Sequence, residues 1–508
     1  MNNTCIKMNL SAAEEKEIFN FLKLQNCCLR CCFRFIGYRM PECYQDPVEF
    51  AKRVSYIFRN EDNCMDDIPC VVCLGILQKK VQEITVQKIE QLNYDCETFA
   101  CALTVPVSLP IRERLLYSRC ITELHFSEHI AQIFKVKIQN AKDVWKWIVI
   151  PRLEKVIKKR GDLILPSPLL IEIFFTYEFD DKECQALLNV NKGSNNTVNW
   201  YKRKHKDNKF SRKNMETLMA EITDDQFIQY FDTSIINLTP TSVCVENIGC
   251  LHSSVFIGGR YNKLSRELSQ TPWFINGEKK METSVQDILC NPIAQTVKAK
   301  SIKFLSSGRE DVDVRTIYSG RPFAVELIDP RMTKITEELL SDLANRINQS
   351  SKLAQITSNL KVLTRLDLKK LKEGENVKTK FYRALCICRT ASKRTLQLED
   401  LNNLKRVRII QKTPVRVLHR RPLTPRERLI YEMRARWAKP EELKRLLNTA
   451  AEDDSRFFVL DIKTQAGTYV KEFVHGDFGR TKPSLCDLLD TEIDIVALDV
   501  TGINIKWP

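Results

Sequence analysis

The segment from Ser307 to Arg315 carries the clearest candidate for chemistry in the chain. Gly308 is followed by Arg309 and then by Asp311, and the segment continues as Val312-Asp313-Val314. We expect the carboxylate of Asp311 to be presented from a loop that leads into a strand. Neighbouring cations favour the charged form of a carboxyl group, and a carboxylate can act as a nucleophile or base on an electron-poor carbon. The alternative interpretation is a salt-bridged surface loop.

Four cysteines form two Cys-x-x-Cys pairs, Cys28 with Cys31 and Cys70 with Cys73. This spacing lets two thiolates of one turn bind the same ion, and two such pairs complete a tetrahedral zinc site. Four sulfur ligands leave no open position, so we expect structural zinc and not a catalytic metal. Cys27 and Cys32 leave the assignment of the first pair open. The alternative is a set of buried, reduced cysteines.

The charge of the chain favours a polyanionic partner. Lys and Arg number 79 against 64 Asp and Glu, a formal net charge of +15, which is most simply explained by nucleic-acid binding. Much of the excess lies between Lys405 and Lys439, where only Glu427 and Glu432 oppose the cations. Pro414 and Pro422 interrupt any helix there. A solvated helix face remains an alternative for residues 426–436.

Several segments predict elements that would position these residues. Ser11 and Glu14 form a capping box for a helix to about Leu24, and residues 141–159 have helical spacing. Residues 169–177 are apolar and aromatic, which predicts a buried strand. Residues 191–215 are rich in Asn, Lys and Ser, which indicates a linker or loop.

The chain carries no sign of membrane insertion or secretion. No apolar run approaches the roughly 20 residues of a membrane span, and the first ten residues have no apolar core of signal-peptide length. We therefore expect no membrane partner and no disulfide framework.

Three segments together resemble the active-site motifs of pseudouridine synthases. They are Gly308-Arg309-Glu310-Asp311, residues 378–385 (Lys-Thr-Lys-Phe-Tyr-Arg-Ala-Leu) and residues 465–472 (Gln-Ala-Gly-Thr-Tyr-Val-Lys-Glu). The closest resemblance is to the archaeal and eukaryotic tRNA pseudouridine synthase with an N-terminal zinc and THUMP-containing region. Further similar stretches are residues 259–263, 270–273, 418–422 and 474–483.

The resemblance implies a role for each matching residue. Asp311 is the catalytic carboxylate, with Asp313 as its rival, and it acts as nucleophile or as base for a glycal route. Tyr382 stacks on the target base, and Tyr469 lines the same pocket. Lys471 pairs with the catalytic Asp, and Arg309 fills the space of the flipped base or grips its phosphate. The RNA-binding residues are His419, Arg420, Arg421, Arg480 and Lys482.

The resemblance also implies an α+β fold in three parts. We expect a Cys-rich zinc-binding region over residues 1–77 and a THUMP-like α/β accessory domain over 78–240. The catalytic domain over 241–508 is expected to be a mixed, mostly antiparallel sheet with flanking helices. A basic segment, residues 405–440, would grip RNA within it.

The function implied is isomerisation of uridine to pseudouridine in the TΨC arm of tRNA, at position 55, with 54 as an alternative. We expect structural zinc, no organic cofactor, a monomer, and a location in nucleus and cytoplasm. The rival hypothesis is a non-catalytic RNA-binding adaptor, for example one that binds primary microRNA during microRNA processing.

Overall fold

The computed structural model describes residues 10–54, 68–89, 92–163, 167–190, 210–224, 227, 240–377, 379–389, 396–447, 456–505 and 507. It divides into two compact units, Met1–His252 and Ser253–Pro508. A second basic run, Lys-Arg-Lys-His-Lys at 202–206, and most of the predicted loop at 191–215 lie outside the described residues. In the part of the chain described, no helix is long and apolar enough to cross a membrane.

The first unit packs helices around a four-stranded sheet. Its helices are α1 (Ala12–Leu24), α2 (Leu29–Ile36), α3 (Glu42–Gln45), α4 (Pro47–Arg53), α5 (Lys79–Ile89), α6 (Leu109–Glu123), α7 (Glu128–Lys137), α8 (Ala141–Ile157), α9 (Asp180–Val190) and α10 (Arg212–Glu221). Its strands are β1 (Thr98–Thr104), β2 (Arg160–Gly161), β3 (Leu169–Thr176) and β4 (Cys244–His252), in the order β2-β1-β3-β4. Strand β1 runs parallel to β2 and β3, whereas β4 is antiparallel to β3.

Local sequence accounts for these elements. The side chain of Ser11 accepts a hydrogen bond from the backbone of Glu14, and the Glu14 carboxylate accepts one from the backbone of Ser11, so the predicted capping box begins α1. The predicted helix at 141–159 is α8, and the predicted buried strand at 169–177 is β3. Alternate side chains of β3 are buried, as expected for a strand with one face on the core.

The chain divides into its two compact units between His252 and Ser253. Strand β4 pairs with β3 along its length, so residues 244–252 belong to the first unit, and a catalytic domain over 241–508 stays a prediction. Buried side chains on both sides of position 77 share one hydrophobic core. The separate zinc-binding and THUMP-like domains therefore remain predictions.

The second unit is built on a large sheet. Its helices are α11 (Val285–Val297), α12 (Glu337–Ser350), α13 (Arg365–Val377), α14 (Glu399–Asn403), α15 (Pro440–Leu447), α16 (Val470–His475) and α17 (Leu485–Leu489), with a 3₁₀ helix at Val415–Arg420. Its strands are β5 (Val255–Lys263), β6 (Phe274–Ile275), β7 (Glu278–Lys279), β8 (Ala299–Ser306), β9 (Val314–Pro330), β10 (Ala354–Ile356), β11 (Lys361–Leu363), β12 (Thr379–Cys388), β13 (Lys405–Gln411), β14 (Arg426–Trp437), β15 (Phe457–Gln465), β16 (Thr481–Lys482) and β17 (Ile493–Ile503).

The expected mixed, mostly antiparallel sheet is confirmed. Among the described residues it has 11 strands, with the main order β10-β5-β9-β17-β12-β15-β14-β13-β16. Strands β9 and β17 are parallel, and the other pairs are antiparallel. Helices α11 and α12 pack on β5 and β9, whereas α16 packs on β12, β15 and β17. The α+β fold class follows.

The centre of this sheet brings distant segments together. Strand β17 lies between β9 and β12, with Leu498 opposite Val314 and Val500 opposite Tyr382. Strand β15 pairs with β12 on the other side. The turn before β9, the middle of β12 and the loop after β15 therefore meet at one place.

Candidate active site and metal centre

A cleft of about 750 Å³ opens where these segments meet. It lies within the second unit, and its walls come from the turn before β9, strand β12, the 3₁₀ helix and the loop before α16. Of the predicted site residues, the cleft is lined by Arg309, Asp311, Tyr382, Arg420, Arg421, Tyr469 and Lys471. Side chains that are far apart in sequence thus form one surface.

A tight turn presents Asp311 to the cleft. Gly308 has φ +92, and a side chain there would lie 2.9 Å from Lys380 Nζ and 3.0 Å from Arg321 Nη1. A positive φ and close packing both favour glycine, so the structure accounts for a glycine at position 308. The backbone N–H of Val314 donates to the carbonyl of Asp311 (3.1 Å). The strand predicted at 312–314 is therefore wrong for Val312 and Asp313, since β9 begins at Val314.

The two aspartates of this turn have different environments. Asp311 lines the cleft, and its Oδ2 lies 2.8 Å from Arg416 Nη1 and 3.7 Å from Lys471 Nζ. Asp313 is more exposed, with 63% of its side-chain surface accessible, and its Oδ2 lies 2.6 Å from Lys471 Nζ. Lys471 thus contacts Asp313 more closely than Asp311, and Arg416 is the nearer cation of Asp311. Position in the cleft favours Asp311 over its rival.

The charge on Asp313 is maintained by Lys471. Burial alone raises the pKa of Asp313, but the hydrogen bonds and positive charge of Lys471 outweigh it and hold the pKa below its usual value. Lys471 therefore lies between two carboxylates, in contact with the one outside the cleft. As a compact ammonium group it can be shared between them without the fixed geometry that a guanidinium requires.

A buried polar cluster contacts the turn at Glu310 and Gly308. Glu310 accepts a hydrogen bond from Tyr261 (2.7 Å) and forms an ion pair with Arg321 (2.5 Å), and all three side chains are buried. Gln270 donates to Tyr261 (2.9 Å) and to the carbonyl of Gly308 (3.1 Å). Burial and the charge of Glu310 raise the pKa of Tyr261. The residue preceding Asp311 is therefore firmly held.

A fully buried lysine, Lys263, contacts the turn at the carbonyl of Val312. The ammonium of Lys263 donates to the carbonyls of Ser265 (3.2 Å), Leu268 (2.8 Å) and Val312 (2.5 Å). Burial lowers the pKa of Lys263 to about 8, although the nearby carboxylates oppose this. Its bond to Val312 fixes the backbone between the two aspartates.

Two tyrosines face the cleft from different elements. Tyr382 lies on β12, as predicted, and is half-buried between β15 and β17. Burial raises its pKa to about 12, so it is uncharged near neutral pH. Tyr469 precedes α16, and its backbone exchanges two hydrogen bonds with the amide of Gln411. The guanidinium of Arg416 lies 6.0 Å from the Tyr469 ring centre.

Arginines form one wall of the cleft. The 3₁₀ helix and the strand after it contribute Arg416, Arg420, Arg421, Arg426 and Arg428. Arg416 is held by a second ion pair, 2.6 Å from its Nε to Oε1 of the buried Glu472. Residues 426–437 form strand β14, so the helix-face alternative for this part of the chain is wrong.

Three predicted RNA-binding residues lie outside the cleft lining. His419 is exposed at the end of the 3₁₀ helix. Arg480 donates to the carbonyl of Thr413 (3.0 and 2.7 Å), which ties two loops together. Lys482 lies on β16 and is exposed.

Several residues that shape the site have no role predicted from sequence. Arg416 belongs to the predicted basic segment, but no motif indicates its contact with Asp311. Tyr261, Lys263 and Gln270 occur in stretches that resemble the family, yet without a role of their own. Their buried positions follow from sheet packing, which no local pattern reveals.

The predicted metal ligands come together in the first unit. The sulfur atoms of Cys28, Cys31, Cys70 and Cys73 all lie within 4.8 Å of one another, and all four residues are buried. A tetrahedral ion with bonds of about 2.3 Å to sulfur separates its ligands by about 3.8 Å, and the sulfurs of Cys28 and Cys73 are 3.8 Å apart. The backbone N–H of Cys28 also donates to the sulfur of Cys70 (3.3 Å). The cluster therefore fits a four-coordinate metal ion.

The structure resolves the choice among the clustered cysteines. Cys27 and Cys32 are buried beside the site but lie outside the group of four mutually close sulfurs. The predicted ligand pairs are therefore the ones that converge. With all four ligands from cysteine, the site can stabilise the fold but leaves no position for a reacting molecule.

Both units match described protein families. Residues 256–504 match the family model "Pus10, C-terminal", and residues 70–250 match "Eukaryotic Pus10, N-terminal". Over 446 residues the chain is 37% identical to tRNA pseudouridine synthase Pus10 of Xenopus laevis. This alignment covers 86% of the chain and 81% of the Xenopus protein. The chain belongs to the Pus10 family. Of the four clustered cysteines, Cys70 and Cys73 lie within the N-terminal match, whereas Cys28 and Cys31 precede residue 70.

Other Pus10 relatives come from vertebrates and archaea. The human tRNA pseudouridine synthase Pus10 is 36% identical over 445 residues, covering 86% of this chain and 79% of its own. The protein of the same name from Archaeoglobus fulgidus is 34% identical over 263 residues, covering 49% of this chain and 67% of its own. A solved structure titled as a Cbf5-Nop10-Gar1 complex has 13% identity and a TM-score of 0.25, and covers 48% of this chain and 49% of that one.

Proposed function

We propose that this protein is a tRNA pseudouridine synthase that acts on the TΨC arm, at position 55 with 54 as a second target. The names of its Pus10 relatives support action on tRNA. The observation that carries the proposal is that Asp311 lines a cleft together with Tyr382 and several arginines. This combination suits a flipped nucleotide that carries a phosphate.

The reaction requires one carboxylate and no redox chemistry. The N1–C1′ bond of uridine breaks, the uracil turns, and a C5–C1′ bond forms, after which the proton on C5 is lost and N1 gains one. The carboxylate of Asp311 acts either as the nucleophile at C1′ or as the base that removes the C2′ proton. Arg416 and Lys471 orient it, since both place a cationic group within 4 Å of Oδ2.

Aromatic side chains would hold the uracil while it turns. The ring of Tyr382 is uncharged and fixed in the sheet, so it provides a flat face on which the base can rotate without leaving the site. Tyr469 lines the same cleft. Stacking on such rings is worth roughly 1–3 kcal/mol per base.

The arginine wall would bind the RNA backbone. Extruding a stacked uridine costs a few kcal/mol, and phosphate contacts can offset this cost. Arg420 and Arg421 are exposed and line the cleft, which makes them the best placed for phosphates on either side of the target. Arg309 reaches the cleft from the Asp311 turn and can contact the phosphate of the flipped nucleotide or occupy the vacated stack.

We also propose zinc as the ion of the four-cysteine site. Four thiolates in tetrahedral arrangement are typical of structural zinc, and the site lies in the core of the first unit. Its role is to link the segment around α2 with residues 70–73.

A product map of an unmodified tRNA transcript tests this function. The purified protein with no other component should form pseudouridine at position 55 or 54, and a transcript with cytidine at both positions should remain unmodified. Asp311→Asn should abolish product formation, because an amide is neither nucleophile nor base, while tRNA binding persists. Asp313→Asn is the matched control and should retain at least partial activity.

Two outcomes would contradict the proposal. Binding of tRNA without product by the wild-type protein would favour the RNA-binding adaptor instead. An inactive Asp313→Asn protein together with an active Asp311→Asn protein would assign the catalytic role to Asp313.

A further inference from the structure

Phe478 is the most exposed large hydrophobic side chain among the described residues, with 95% of its surface accessible. It lies in the turn of residues 476–479, between α16 and β16. A ring left in water contributes nothing to the core, whereas burying such a side chain stabilises a fold. Packing in the core therefore does not account for a phenylalanine at position 478.

The backbone of this turn is strained. All four residues have positive φ: Gly476 (+78), Asp477 (+48), Phe478 (+55) and Gly479 (+78). For a residue with a side chain, this conformation is unfavourable, because the Cβ atom comes too close to the following carbonyl oxygen. Strained residues persist where the surrounding structure holds them, and they are concentrated at functional sites.

Several hydrogen bonds fix the turn beside the cleft. The Asp477 carboxylate accepts from the backbone N–H of Val415 (3.2 Å), at the start of the 3₁₀ helix that carries Arg416 and Arg420. The backbone N–H of Thr481 donates to the carbonyl of Gly476 (3.1 Å). The ring is thus presented by a rigid support that is joined to the arginine wall.

The distance to the reacting position can be bounded along α16. This helix begins next to Lys471 in the cleft and ends at His475. A rise of 1.5 Å per residue places His475 roughly 6 Å along the helix from Lys471, and the turn that carries Phe478 begins at the next residue. Successive bases of one strand are about 3.4 Å apart, so a base at Phe478 would be a neighbour of the target and not the target itself.

The chemistry around the ring fits RNA. Arg480 and Lys482 follow Phe478 closely in sequence. The backbone N–H of Lys412 donates to the carbonyl of Arg480 (2.8 Å), which brings the segment of Lys412 and Arg416 next to the turn. An aromatic face within a basic surface is the arrangement that binds unpaired bases, because every base has a π face and every nucleotide a phosphate. Apolar protein partners would match the ring but not the charge.

We propose that Phe478 stacks on a nucleobase of the bound RNA that lies near the reacting uridine and outside the catalytic cleft. This inference rests on the proposed function for the identity of the RNA. The contact adds base stacking to an interface that is otherwise electrostatic, and it positions the RNA strand relative to Asp311.

Binding of an unmodified tRNA transcript to ring-altered variants at several salt concentrations tests the proposal. Phe478→Ala and Phe478→Leu should each weaken binding roughly 5- to 150-fold, as expected for the loss of 1–3 kcal/mol, and Phe478→Tyr should bind like wild type. The slope of log affinity against log salt should stay unchanged, because no charge is removed. The double variant Arg420→Gln/Arg421→Gln should instead reduce that slope by about one unit for each phosphate that is no longer neutralised.

Tyr318 provides a matched control. It is also an exposed aromatic residue with positive φ (+60), and it does not line the cleft. Tyr318→Ala should leave tRNA binding unchanged. Transcripts with one abasic nucleotide at a time should identify the stacked base, since its removal and Phe478→Ala should have non-additive effects.

Each result separates this inference from the proposed function. Wild-type affinity of Phe478→Ala, or of Phe478→Leu, overturns the stacking contact whether or not the protein forms pseudouridine. Absence of product from wild-type protein, with ring-dependent tRNA binding intact, overturns the enzymatic function and leaves the stacking contact standing.

Discussion

Arg416 and Asp311 form an ion pair of 2.8 Å in which the arginine cannot turn away, since its Nε is engaged by buried Glu472 at 2.6 Å. The carboxylate proposed for catalysis thus has its nearest cation on a different element, the 3₁₀ helix of the basic segment. The arginine wall and the carboxylate proposed for catalysis are therefore joined through Arg416.

Arg416→Gln should lower the single-turnover rate about 10- to 100-fold, because the loss of this ion pair misplaces the carboxylate. Arg416→Lys should recover only part of the rate, since a lysine cannot contact Asp311 and Glu472 with the same fork. The single-turnover rate on saturating tRNA measures both. Arg408→Gln, in the same basic segment but 81% exposed at its side chain, should react at the wild-type rate. Equal effects of Arg408→Gln and Arg416→Gln would show that only overall charge matters.

Tyr382→Phe should retain much of the activity, whereas Tyr382→Leu should lose most of it while tRNA binding persists. The aromatic face remains in the first variant and is absent from the second, and many phosphate contacts dominate the affinity. Single-turnover rates beside binding curves make the comparison. If Tyr382→Leu is as fast as wild type, stacking belongs to another ring, with Tyr469 the next candidate. If Tyr382→Phe is as slow as Tyr382→Leu, the hydroxyl takes part.

The rate should fall as pH rises through about 8, the pKa of Lys263. Loss of its proton removes a charged donor from the Val312 carbonyl (2.5 Å), and the backbone between Asp311 and Asp313 then loosens. Single-turnover rates from pH 6.5 to 9.5 measure this decline. Lys263→Met should be slower at pH 7 and show no such decline, because it has nothing to titrate.

Loss of activity through Lys263 can be told apart from loss of activity through unfolding, because the two respond to rising pH in opposite directions. The pKa of Lys263 is lower in the folded protein than its ordinary 10.5, so the unfolded chain binds more protons between about pH 8 and that value. Its contribution to stability therefore increases with pH in this window. Activity should fall while this contribution rises. The interpretation is contradicted if Lys263→Met shows the same alkaline decline as wild type.

The double variant Cys28→Ser/Cys31→Ser should contain one zinc ion less per chain and have a less stable first unit. Two of four ligands are lost, and the binding energy of a structural zinc is folding energy. Elemental analysis and thermal unfolding measure both changes, and product formation should survive at high tRNA concentration. Cys32→Ser is the control, because this buried neighbour is not one of the four clustered sulfurs. Wild-type protein that folds normally without zinc would contradict the metal site.

Some of this site could be predicted from sequence because its signals are local. The spacing of the two cysteine pairs determined which sulfurs could converge, and the cleft contains Asp311, Tyr382, Tyr469 and Lys471 from motifs that are each a few residues long. A motif of a few residues can predict such a role without knowledge of the contacts between distant segments.

The remainder depends on contacts between segments. Val312 alternates with its neighbours like a strand residue, but Lys263 binds its carbonyl and a turn forms there instead. Lys471 is expected from its motif to pair with the catalytic aspartate, yet the turn also brings Asp313 within 2.6 Å of it. Such preferences are set by sheet register and burial, which a single sequence does not reveal.

The parallel pairing of β17 with β9 has a consequence for how the protein is made. The ribosome synthesises β17 after all the other described strands of its sheet, yet β17 lies between β9 and β12. Until residues 493–503 have emerged, Val314 and Tyr382 lack the strand that joins them, and the pairs formed last join residues that are far apart in the chain. Such non-local pairing folds slowly. A nascent chain would thus display its arginines before it can form its cleft, so it could bind RNA well before it could modify it.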